Sequence, residues 1–142
     1  MDQCTRDRLL VGVLRLGAVL TLSAFFAVFL PADVMVSIHA WLGLGSLPMT
    51  PVVDYLARSL ALFYAVHGGL LLVLSLDVAR YRPVVAYVGW STLVMGIVLT
   101  GIDLHAGLPI WWVLGEGPPV ILVGVLLIGL SRAPAATPPE TT

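Results

Sequence analysis

At 142 residues, with 59% hydrophobic and 11% charged side chains and a mean hydropathy of +1.03, the chain is too apolar for a soluble domain of its size. A formal net charge of −1 points away from nucleic acid and acidic polymers as partners. The single cysteine, Cys4, excludes an intramolecular disulfide and any cysteine-based metal site.

A bilayer core of about 30 Å takes roughly 20 apolar residues as helix, and the chain supplies four such segments. The fold class expected is therefore all-α: a polytopic membrane protein, a four-transmembrane-helix bundle over 1–132 with a short interfacial outer helix. In layout and size it resembles small four-helix bacterial membrane proteins, a resemblance of shape.

The first segment, 9–30, reads "LLVGVLRLGAVLTLSAFFAVFL" and is about 33 Å long as a helix. Arg6 and Arg8 could head a signal peptide, but Arg15 interrupts the apolar run and the segment is long, so it reads as a span. Arg15 is close enough to the end to snorkel to the headgroups. The loop that follows, "PADVMVSIHAWLGLGSLPMTPVVD", is too apolar to hang free and too broken to cross. Asp33 can cap a short helix over 34–42 lying at the interface, stopped by Gly43 and Gly45.

The second segment, 55–76, carries Ala57, Ala61, Ala65 and Gly69 at every fourth position, a row of small residues that lets another helix approach closely. Asp54 and Arg58 share the outer end of that face and are spaced to pair. The third segment, 83–102, opens with proline, tolerated in a first turn. It has a comparable row, Gly89, Thr92, Gly96 and Thr100, which reaches Asp103 one turn further out. The two rows look made for each other, which predicts an outer-side charge cluster of Arg58 with Asp54 and Asp103, and with Glu116 near in depth. Intramembrane charges are stable when paired, so this clamp needs no chemistry to explain it.

The fourth segment, 111–131, contains Gly115, Gly117, Pro118 and Pro119 and is expected to break there. From Pro118 onward about 21 Å of helix is left, short of a full crossing. The end of the chain, 133–142, "APAATPPETT", has nothing to bury and is expected to be a disordered cytoplasmic tail.

Orientation is read from arginine, the only basic residue type besides histidine in the chain. Arg6, Arg8, Arg15, Arg80, Arg82 and Arg132 flank one side, and the loops on the other side hold no Lys or Arg. By the positive-inside rule both termini are cytoplasmic, and a bacterial inner membrane is the expected location. Trp41, Tyr55, Trp111 and Trp112 fall at the outer boundary, with Tyr81 and Tyr87 at the inner one.

Three histidines are candidate ligands or relays. His39 and His105 lie on the outer side, and with Asp103 and Glu116 they could bind a divalent ion or pass protons, but their spacing has no metal-site signature. No metal site and no catalytic residue are assigned. His67 sits near mid-bilayer, about 140° from the centre of the small-residue row, and needs a hydrogen-bond partner there. Thr21 or Ser23 on the first segment are at suitable depth. Haem ligation is the sharper alternative, and would take a second imidazole at the same depth.

Three functions follow. The leading one is a non-catalytic accessory or assembly subunit that packs through Gly/Ala-rich faces, as a homo-oligomer or within a larger complex in the lipid bilayer. The second is a haem- or quinone-associated redox subunit using His67. The third is an oligomeric small-solute or ion pathway using the broken fourth helix and Glu116. No cofactor is predicted, and enzymatic activity is not indicated.

Overall fold

The computed structural model describes residues 2–132, and the expected tail lies outside them. Helix α1 (Gln3–Leu22) runs on as a 3₁₀ segment (Ser23–Phe29), followed by α2 (Ala32–Trp41), α3 (Pro51–Leu76), α4 (Arg82–His105) and α5 (Ile110–Ser131). Four spans are long and apolar enough to cross a membrane: Gln3–Phe29, Pro51–Leu76, Arg82–His105 and Ile110–Ser131. The architecture is the all-helical four-span bundle that the sequence predicts.

Element boundaries follow local chemistry. α1 starts six residues ahead of the apolar run because Asp2 caps it, accepting from the Thr5 amide at 3.4 Å and the Thr5 hydroxyl at 2.6 Å. Near its other end Thr21 donates to the Gly17 carbonyl at 2.8 Å and Ser23 to Leu20 at 2.6 Å. Such back-bonding loosens the α ladder, and the tighter 3₁₀ winding begins at Ser23. α3 likewise starts earlier than its apolar run, with the Thr50 hydroxyl accepting from the Val53 amide at 3.3 Å and Pro51 in the first turn.

Two expectations are corrected. Asp33 does not cap α2; it lies in the first turn, after Pro31 at the cap position. Gly43 and Gly45 do end that helix, both with positive φ, 68° and 88°. The fourth span is not broken: α5 is continuous through Pro118 and Pro119. Gly117 and Gly124 seat it against α4 on either side of the prolines, which holds the helical path where two backbone donors are missing.

The spans form two antiparallel pairs, α1 with α3 and α4 with α5, and the sizeable contact between the pairs runs from α1 to α5. In lipid, helix association depends on close packing more than on water exclusion, and the α4–α5 pair shows how close it is. A Cβ on Gly89 would stand 3.0 Å from the Ile128 amide, on Gly96 2.7 Å from that of Ile121, and on Gly124 2.6 Å from that of Leu93. Only hydrogen fits there. The predicted meeting of the two small rows is therefore corrected: Gly89, Thr92 and Gly96 face α5, while Ala61 and Ala65 are buried on the other pair. Further along α3, Gly68 and not Gly69 makes the tight contact, with Thr21 and Leu22.

The apolar core lies at the end that carries both termini, where Leu10, Leu14, Leu71, Leu74, Val85, Val88 and Leu127 meet. Polar ties close the same end. Arg82 pairs with Asp7 at 2.7 Å, and Arg6 donates to the Gly129 carbonyl at 3.0 Å and to that of Arg132, where α5 leaves carbonyls without partners.

Candidate functional site

At the end opposite the termini, α3 and the 3₁₀ segment have no sizeable contact with α4 or α5. The closest backbone approach between the two pairs is that of α1 to α5. Helical geometry fixes which side chains on one pair look toward the other. On α3, Tyr64 and His67 lie on the same side as Leu71 and Leu74, which enter the core one and two turns further along. On α5, Trp112 and Glu116 share a side with Val123, Leu127 and Leu130.

The predicted charge cluster comes together in one half only. Arg58 Nε donates to both carboxylate oxygens of Asp54, at 3.0 and 3.1 Å, and Nη1 donates to the Val28 carbonyl at 2.5 Å. Arg58 thereby ties α3 to the end of the 3₁₀ segment, with about a third of its side chain still exposed. Asp103 and Glu116 are not its partners, because α4 and α5 belong to the other pair. Asp103 is 4% exposed, and one of its carboxylate oxygens is buried without a hydrogen bond. Glu116 accepts a hydrogen bond from the Trp112 indole at 2.5 Å.

The histidines are dispersed. His39 closes the turn after α2, its Nδ1 3.2 Å from the Gly45 carbonyl. His105 is the last residue of α4 and exposed. His67 is half-buried at mid-span and makes no hydrogen bond among the described residues; the expected partners, Thr21 and Ser23, bond to their own helix. No group of three or more metal-ligating side chains occurs among the described residues.

A cavity of about 320 Å³ opens beside Glu116, lined by Trp111, Trp112, Gly115 and Glu116. The two indoles meet edge to face, centroids 5.5 Å apart. The Trp112–Glu116 spacing of four was legible in the sequence as one helical face, but only on the premise that α5 is unbroken, which the proline pair argued against. Two further polar atoms belong to the same turn. The carbonyls of Leu114 and Gly115 face Pro118 and Pro119, which have no N–H to donate to them.

The chain matches no family model, no curated protein and no solved structure. Its four apolar helices are those of a small integral membrane protein.

Proposed function

We propose that the protein is a non-catalytic membrane subunit that acts by holding a guest within the bilayer, between its two helix pairs. The observation that carries this reading is the placement of Tyr64 and His67 on α3 and of Glu116 on α5 on the sides that turn toward the other pair, within spans long and apolar enough to cross a membrane. Polar groups in hydrocarbon are stable only with partners, and the Tyr64 hydroxyl and the His67 imidazole make no hydrogen bond among the described residues. The test is photocrosslinking in native membranes from a benzophenone amino acid at Tyr64, with lipid-facing Phe63, 71% exposed, as reference. A discrete adduct from position 64 and only lipid from position 63 is the expected result. The same lipid-only pattern from both removes the reading.

A second observation supports self-association. Gly12, Gly69, Gly101, Gly115 and Gly129 sit in helices with nothing within 4 Å of where a Cβ would stand, so small-residue surface is left over after the internal interfaces form. Cysteine-free protein (Cys4→Ser) carrying Gly101→Cys or Gly129→Cys should cross-link to itself in membranes if that surface is used; monomer alone would argue against it.

The arginine distribution supports an orientation with both termini cytoplasmic, and a bacterial inner membrane is the location proposed. Reaction of Cys4 with a membrane-impermeant maleimide in intact cells would overturn that orientation.

A further inference from the structure

The cavity beside Glu116 combines features that select one kind of ligand. Glu116 carries the only formal charge among its lining residues, and its one hydrogen bond comes from a neutral indole, with no arginine in ion-pair range. A carboxylate inside a span calls for a cation. The carbonyl of Gly115, a lining residue, adds an acceptor whose helical donor position is taken by Pro119. Trp111 and Trp112 supply apolar aromatic surface against which an organic body can lie. Gly115 leaves the wall open, nothing lying within 4 Å of its would-be Cβ.

These groups exclude several ligands. An anion is repelled by Glu116. Calcium takes six to eight oxygen ligands, commonly from several carboxylates, and the cavity offers one carboxylate. A small hydrated ion gains nothing from indole walls. An ammonium group on an apolar body matches all of them: its charge meets Glu116, its N–H donors reach the carboxylate and the Gly115 carbonyl, and its body lies against tryptophan. The volume of about 320 Å³ is at the small end of ligand pockets, sized for an aryl-alkyl amine and not for a lipid.

We propose that this cavity is a binding site for a monovalent organic ammonium ion with an apolar or aromatic body. The inference rests on the reading that the protein holds a guest within the bilayer, and it names that guest. Its test is a titration of full-length protein in lipid nanodiscs with 2-phenylethylammonium, followed by tryptophan fluorescence, with neutral 2-phenylethanol as the isostere lacking the charge. Saturable binding is expected, with the alcohol and the Glu116→Gln variant each weaker by roughly tenfold or more, the worth of a charge-assisted contact. Gly115→Leu, whose side chain points into open space and so leaves the helix intact, should abolish binding, while Gly129→Leu should not. Equal affinity for amine and alcohol, or undiminished binding by Glu116→Gln, overturns the proposal, as does the absence of saturable binding. A discrete Tyr64 adduct alongside any of those results would reject the ammonium ligand and leave the protein as the holder of another guest. Loss of the adduct as well would reject both.

Discussion

The two helix pairs are built from similar apolar sequence and are packed differently. α4 and α5 touch backbone to backbone through glycines on both helices, seven residues apart on each: Gly89 and Gly96, Gly117 and Gly124. α1 and α3 meet mainly through alanine and leucine, with Gly68 the one point of comparable closeness. Close approach without side chains fixes the α4–α5 spacing rigidly. The α1–α3 pair is held by side chains that can shift, and it adds a polar tie, Arg58 to Val28, with no counterpart between α4 and α5 among the described residues. The contrast locates the rigid half of the molecule away from Tyr64 and His67.

The largest effect expected is at Gly124. Gly124→Ala puts a Cβ within 2.6 Å of the Leu93 amide and should lower stability by about 2–3 kcal/mol, measured by unfolding in bicelles. Gly129→Ala, on the open face of the same helix, should change it by less than about 0.5 kcal/mol. Equal effects would mean that the α4–α5 contact is not close. Gly68→Ala comes next, at about 1–2 kcal/mol, since Thr21 can turn aside although the Leu22 amide, 2.7 Å from the new Cβ, cannot.

Arg58→Ala follows, with a loss of about 1 kcal/mol, because the pair with Asp54 is partly exposed. Exchanging the charges, Arg58→Asp with Asp54→Arg, should recover part of that loss. Arg58→Asp with Asp103→Arg should recover none, and recovery there would show that the two pairs close on each other at this end.

The smallest effect is at the start of α1. The hydrogen bond from the Thr5 hydroxyl holds the Asp2 carboxyl below its ordinary value of 3.8, with the Asp2 and Thr5 backbone amides adding to it. A depressed carboxylate stabilises the folded form above its ordinary pKa and loses that contribution as pH falls through the lowered value. Fraying of the first turn only in that acidic range, followed by the Thr5 amide resonance, is expected. A titration at the ordinary value would show the cap to be absent.

The span count and span positions could be read from composition because a bilayer imposes length and polarity on each helix independently. Pairing could not. Ala61, Ala65, Gly89 and Gly96 were recognisable as packing residues, but a small-residue row says that some helix approaches, not which one. The clamp failed on that point: Arg58 and Asp54 are on one helix and needed only the helical repeat, whereas Asp103 required α3 to lie against α4. Pro118 and Pro119 misled for a related reason. Their local preference is to end a helix, and tertiary contacts at Gly117 and Gly124, invisible in the chain itself, override it.

The lengths of the spans differ by pair. α1 with its 3₁₀ extension measures about 44 Å and α3 about 39 Å, against about 36 Å for α4 and 33 Å for α5. Mismatch with the bilayer is set by the apolar stretch and not by total helix length, so the polar first turns of α1, Gln3 to Arg8, carry that helix beyond the hydrocarbon without adding to its mismatch.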